Sequence, residues 1–169
     1  RFHEYTSKWE EDFTHIHDFL DGILNNLIVE IHHVGSTSVK DLGAKPIIDI
    51  NVEYEHYFEE IKTLLIKNYY EYEGEKGIKG RDSFRFTKDT LPEHHLYLLH
   101  SNAEELKKHL QFRDALRAFP MYRKMYHEFK KKLIDQNNKD RVLYTNSKTN
   151  LIQFIMKESE IMKTIVFAG

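Results

Sequence analysis

Residues 34–51, VGSTSVKDLGAKPIIDIN, decide the reading of this chain. Gly35 and Ser36 open a loop of small residues, with Thr37 and Ser38 behind them. Pro46 and a hydrophobic run then deliver one aspartate, Asp49, with Asn51 two places on. On a strand, successive side chains point to opposite faces, so Asp49 and Asn51 share one face and Ile48, Ile50 and Val52 the other. Two oxygen ligands beside a glycine loop are what a protein needs to hold a metal and a phosphate together.

Outward from this stretch, hydrophobic spacing supplies the elements. Trp9, Phe13, Ile16 and Leu20 predict an amphipathic helix over 7–25, with Thr6 or Ser7 as its cap. A strand follows over 27–34, and the loop 35–45 has room for a helical turn after Ser36. Residues 46–53 read as a central strand because their apolar run is nearly continuous. Residues 56–67 read as a helix burying Phe58, Ile61, Leu65 and Ile66, and 69–73 as a weak strand. Gly74, Gly77 and Gly80 mark EGEKGIKGRDS, residues 73–83, as a loop. Strands resume over 83–88, with Phe84 and Phe86 on one face, and over 93–100. There Leu96 and Leu98 point one way and His95 and Tyr97 the other. Ser101 with Glu104 spells a capping box for a helix that runs to Phe119, where Pro120 forces a break. Tyr122, Met125, Tyr126, Phe129 and Leu133 predict a second amphipathic helix. Residues 137–140 form a polar turn, and a last helix covers 147–163. This order predicts an α+β fold, a mixed β-sheet with helices on one face and a helical C-terminal part, in a single domain over 1–169.

Composition narrows the function. A chain of 169 residues, 40% hydrophobic and 31% charged, is large enough to bury a core and is typical of a soluble globular protein. The net charge of -2 gives no long-range pull toward nucleic acid or an anionic membrane, so neither is expected as a partner. The absence of cysteine excludes a disulfide scaffold, a zinc knuckle and a thiol nucleophile. No apolar stretch approaches the length of a membrane span, and RFHEYTSKWEEDF is no secretory signal, so the cytoplasm is expected. The chain opens without Met, so the natural N-terminus is expected upstream.

If Ile48/Ile50, Phe84/Phe86 and Leu96/Leu98 all face a helix-covered core, period-two alternation groups their neighbours on the opposite face. Those neighbours are Asp49, Asn51, Ser83, Arg85, His95 and Tyr97. Asp49 reads as a magnesium ligand or general base, or else as a carboxylate paired with Lys45 or Arg85. Asn51 keeps an oxygen ligand without the charge. His95 suits a metal ligand, a base or a plain hydrogen bond. Gly35, Ser36, Thr37 and Ser38 offer N–H and hydroxyl donors to a phosphate, and Lys45, Arg81 and Arg85 offer charge to it. Lys76 reads as a solubility residue. Arg113 shares the helix stripe of Leu106 and Leu110 and is either a buried structural partner or a pocket wall. His94 reads as a strand-edge residue. The other histidines, His109 among them, match no ligand spacing, and His32-His33 has no carboxylate nearby in sequence.

Five segments in order resemble the GrpB family, a bacterial group of small nucleotidyltransferase-like proteins. They are HHVGSTSVKDLGAKPIIDI, EGEKGIKGRDSFRF, HHLYLL, HLQFRDALRAFPMYRKMYHEFKKKL and YTNSKTNLIQFI. The resemblance runs from Trp9 to about Ile155. It implies the polymerase-β-like nucleotidyltransferase fold, with Gly35 and Ser36 on its Gly-Ser turn and Asp49 on its first metal carboxylate. The second carboxylate falls on Asn51 and the third on His95 or Tyr97, so the three-carboxylate set is absent. Lys40-Asp41 stands where a Pro-Gly pair is common. A similar domain is fused to dephospho-CoA kinase in some organisms, which points toward coenzyme A metabolism.

Two functions follow. One is a magnesium-dependent nucleotidyltransferase acting on a nucleotide or another phosphorylated small molecule, with Asp49 and His95 catalytic. Asp49, Asn51 and His95 would be its metal ligands, and Tyr97 and Arg113 would join the substrate contacts. The other is a binding module of the same fold without turnover, sensing a metabolite or stabilising a partner enzyme. An interaction protein using the aromatic helix 121–133 is the third reading, although such a stripe is more often core. Oligomeric state is left open.

Overall fold

The structure, a computed structural model, describes residues 2–135 and 141–168, with side chains described outside 133–135, 141–145 and 166–168. The polar turn expected at 137–140 and the Leu133 side chain therefore lie outside the described residues.

The chain runs α1 (Lys8–Leu24), β1 (Glu30–Val34), β2 (Ile48–Tyr54), α2 (Phe58–Lys67), β3 (Tyr70–Gly74), β4 (Asp82–Phe86) and β5 (His94–His100). Three helices follow: α3 (Glu104–Ala118), α4 (Pro120–Asp135) and α5 (Arg141–Ala168). The five strands form one mixed sheet in the order β1-β2-β5-β4-β3. Only β2 and β5 pair in parallel. A parallel pair needs a long connection, and α2 with the β3–β4 hairpin supplies it.

Ile48, Ile50 and Val52 on β2 are fully buried, as a central strand requires. They pack with Phe84, Leu96 and Leu98 beneath Trp9, Ile16, Leu20 and Leu24 of α1 and Ile61 and Leu65 of α2. Each such side chain contributes roughly 1.5–3 kcal/mol by leaving water. A second apolar cluster joins Val39 and Leu42 of the loop before β2 to Ala115, Leu116, Tyr122, Tyr126 and Ile155. It fixes α3, α4 and α5 against that loop. Tyr122 and Tyr126 are 2% and 4% exposed, so the aromatic stripe of α4 is core.

Several expected boundaries shift for local reasons. Asn25 takes a left-handed φ of 51° after α1, and Asn25–Leu27 form a 3-10 turn, so β1 starts later than expected. The Ser7 side chain caps nothing; Thr6 Oγ1 accepts from the Lys8 N–H instead. The capping box does not form, because Ala103 holds the cap position of α3 and Ser101 Oγ donates to Glu53 at 2.7 Å. Ile66, expected inside, is 49% exposed. No described helix is long and apolar enough to cross a membrane.

Asp41 has φ 69°, a left-handed conformation that costs an L-residue more than glycine. Asp41→Gly is expected to raise the unfolding free energy by about 0.5–1 kcal/mol. Urea denaturation reads this as a higher midpoint with unchanged slope.

Candidate functional site

Sheet register sets the polar face. Asp49 pairs with His95 and His95 with Arg85; Asn51 pairs with Tyr97 and Tyr97 with Ser83. The six polar residues thus form two cross-strand rows, about 7 Å apart along the strands.

The first row carries Asp49. His95 Nδ1 donates to Asp49 Oδ1 at 3.1 Å, and this bond and the Asp49 charge raise the His95 pKa against a smaller lowering by burial. Above Asp49 lies the turn that begins at Gly35, whose φ of 75° and ψ of -178° belong to a region essentially restricted to glycine. A Cβ at Gly35 would overlap Asp49 Oδ2. Glycine is therefore required twice, for the backbone bend and for the approach of the carboxylate.

Of the loop hydroxyls, two are turned to structure. Thr37 is 2% exposed and bonds His33 at 2.9 Å, while Ser38 Oγ donates to the Gly35 carbonyl at 2.5 Å. Burial drives the His33 pKa down to about 4, so the imidazole is neutral there. Ser36 is the hydroxyl that meets the site. It accepts from Lys130 Nζ of α4 at 2.8 Å. Burial, with the charges of Lys148 and Lys45, pushes the Lys130 pKa down to about 8 against the opposing pull of Asp49. Lys148 of α5 is lowered by burial and Lys45 and raised by Asp49. Among the described residues no carboxylate forms an ion pair with either ammonium. Three lysines from three parts of the chain and Asp49 thus lie close enough to act on one another's charge, and one of them, Lys130, holds Ser36.

The second row is deeper. Asn51 is fully buried, and its Nδ2–H donates to His109 Nδ1 of α3 at 2.8 Å. His109 in turn bonds Glu105 through Nε2 at 3.1 Å. Burial lowers the His109 pKa, which suits a neutral ring accepting at Nδ1 and donating at Nε2. Arg81 lies over the Tyr97 ring with Cζ 4.6 Å from its centroid.

The remaining cations are engaged elsewhere. Arg85 pairs with Glu71 at 2.9 Å and Glu73 at 3.6 Å, away from Asp49, because β3 places both glutamates beside it. Arg113 donates to the His33 carbonyl at 3.2 Å and to Asp114 at 2.9 Å, so it ties α3 to β1 as a structural partner. His94 is no strand-edge residue. It is 7% exposed, bonds Tyr70 at 2.6 Å and the Pro92 carbonyl at 2.7 Å, and belongs to the core. His32, which has no carboxylate near it in sequence, meets Glu53 at 2.8 Å across β1 and β2.

A metal fits this donor set poorly. Among the described residues no three His, Asp or Glu groups gather as a metal site. The polar face offers one carboxylate, Asp49, whose Oδ1 is held by His95, and Asn51 Oδ1, which has no partner among these residues but brings no charge. The lysine charges that act on one another around Asp49 also oppose a divalent cation. A two-ion centre, which needs further carboxylates, has no counterpart among the described residues.

Lys130, Lys148 and His109 are the site residues that sequence reading passed over. Lys130 follows Tyr122 and Tyr126 at four-residue steps, so a lysine on the buried stripe of a helix was the available signal. Lys148 stands three, four and seven residues before Leu151, Ile152 and Ile155, and His109 three after Leu106 and seven before Leu116, so both carried the same signal.

The His95 pKa is raised in the fold, so its bond to Asp49 contributes fully below the unfolded value of about 6.5 and fades as pH rises through the folded one. The His95 side chain is 54% exposed, so the contribution is small, about 0.2–1 kcal/mol. His95→Gln is expected to lower stability at pH 5.5 and to match the parent at pH 9, as read by parallel urea melts.

The family model described as GrpB protein matches residues 1–158. UPF0157 protein YqkA of Bacillus subtilis is 35% identical over 139 residues, which is 79% of this chain; the match spans 39% of that relative's length. A crystal structure of the conserved protein GrpB from Enterococcus faecalis aligns with TM-score 0.79 and 34% identity, covering 94% of this chain and 96% of that one. Cid1 poly(U) polymerase bound to MgATP aligns at TM-score 0.46 and 12% identity, over 72% of this chain and 44% of that one.

Proposed function

The chain belongs to the GrpB family, and from that premise we propose that it binds a nucleotide or another phosphorylated small molecule, whose phosphates are neutralised by lysines rather than by magnesium. The observation that carries this reading is the Lys130 ammonium held by Ser36 beside Lys148 and Lys45. Keeping cations together in a partly buried place costs free energy, and a bound phosphate is the group that recovers it. Gly35 and Ser36 present the turn to the anion, and Asp49 with His95 bounds the pocket on the sheet side. In this reading the protein is a binding module. Asp49 and Asn51 offer one carboxylate between them, which is less than metal-dependent nucleotidyl transfer uses.

Asp49→Asn separates this from the magnesium-dependent transferase. Removing a negative charge beside the lysines is expected to tighten tripolyphosphate binding about three- to tenfold, roughly 1 kcal/mol, in calorimetry with EDTA present. A magnesium-dependent enzyme gives the opposite result. Its affinity appears only with magnesium, falls in Asp49→Asn, and is accompanied by pyrophosphate release from nucleoside triphosphates.

A further inference from the structure

Among the described residues three buried side-chain atoms have no hydrogen-bond partner: Asn51 Oδ1, Arg81 Nε and Ser83 Oγ. Native structures leave few such atoms, because each costs about 1–3 kcal/mol. All three surround one phenol. Asn51 and Ser83 flank Tyr97 in a single cross-strand row, and the Arg81 guanidinium stacks on its ring. Asn51 and Ser83 are 0% and 3% exposed.

The hydrogen-bond demand of the three atoms is specific. The Asn51 amide nitrogen is committed to His109, so Oδ1 accepts. Arg81 Nε–H donates, and the Ser83 hydroxyl does either. A ligand group that both donates and accepts at neighbouring atoms matches this set, and a pair of adjacent hydroxyls is such a group. A carboxylate or phosphate would leave the Asn51 oxygen facing another acceptor. The row lies two residues along the strands from Asp49, about 7 Å, which is the reach from a phosphate to the hydroxyls of its own sugar.

We infer that Asn51, Ser83 and Arg81 form a second subsite on the sheet, which takes the hydroxyl-bearing sugar of the phosphorylated ligand. This rests on the phosphate reading of the lysine site. Arg81 covers the subsite and swings aside to admit the sugar. The backbone before it is held by the Ile78 N–H on the Glu75 carbonyl and the Arg81 N–H on the Ile78 carbonyl, so the movement is that of the Arg81 side chain.

Metal-free calorimetry with ATP, 2′,3′-dideoxy-ATP and inorganic tripolyphosphate tests it. ATP is expected to bind about tenfold tighter than either of the others, the worth of about one well-placed hydrogen bond. In Ser83→Ala the ratio of ATP to tripolyphosphate affinity falls to about one while the melting temperature rises, because an unpaired hydroxyl has been removed. Arg81→Met, which has no donor at that position, gives the same loss of ratio. ATP binding no tighter than dideoxy-ATP or tripolyphosphate overturns the sugar subsite and leaves the phosphate site standing. Failure of ATP and tripolyphosphate alike overturns the phosphate site, and the subsite with it.

Discussion

Lys130→Met is expected to abolish most phosphate binding and, at the same time, to make the protein more stable. The loss follows from removing a charge-assisted hydrogen bond to the anion, worth about 1.5–3 kcal/mol, or roughly 10- to 100-fold in affinity. The stability gain follows from the same lysine. Its pKa is pushed down to about 8 in the fold from the ordinary 10.5 of a lysine, so the fold disfavours its charge. Below pH 8 that penalty is fully present. As pH rises from 8 toward 10.5 the unfolded chain holds more protons than the folded one, and the penalty is relieved. Methionine keeps the stem and drops the charge, so a gain of about 1 kcal/mol at pH 7 is expected, or about 2–4 °C in melting temperature. The gap between variant and parent closes toward pH 10.5. A lysine that merely braced Ser36 would show the reverse, a loss of stability with no change in tripolyphosphate affinity.

Gly35→Ala is expected to be strongly destabilising, because the added methyl group meets both a strained backbone and a fixed carboxylate. The backbone at this position lies in a region that costs other residues about 1–3 kcal/mol, and the new Cβ would overlap Asp49 Oδ2. The neighbour cannot yield freely, because the same carboxylate is held by His95. A loss of about 2–4 kcal/mol is expected, lowering the melting temperature by roughly 5–15 °C. Adding Asp49→Ala to Gly35→Ala is expected to restore about 1 kcal/mol, since it removes the carboxylate overlap but neither the 3.1 Å contact with the residue 49 Cβ nor the backbone strain. No recovery in the double variant would show that the bend alone is at fault and that the carboxylate does not press on the turn.

How much of this was legible in the sequence depends on which periodicity carried the information. Asp49, Asn51, His95, Tyr97, Ser83 and Arg85 could be grouped on one face because strand alternation is strict, and parity survives any register. The register itself, which puts Asp49 against His95 and Asn51 against Tyr97, needed the sheet. Arg85 shows the limit. Its face was readable, but its glutamate partners sit on β3, the strand with the weakest pattern. His94 looked like an edge residue because histidine is ambiguous in an apolar run, and only the packing of Tyr70 shows it as core. The helical tail hid most of the site. Helical periodicity tells which stripe of α4 is buried but not what it faces, so Lys130 and Lys148 could not be tied to Ser36 across more than ninety residues of chain. The family was legible because its segments recur in order, which needs no geometry.

The most direct test is a crystal structure of the protein with tripolyphosphate and no divalent metal. The expected result is an anion at the Gly35–Ser36 turn, with Lys130 Nζ moved from Ser36 onto a phosphate oxygen and Lys148 Nζ within hydrogen-bond distance of the same group. A phosphate bound elsewhere, with the Lys130–Ser36 bond intact and Lys148 unengaged, would contradict a lysine-built phosphate site.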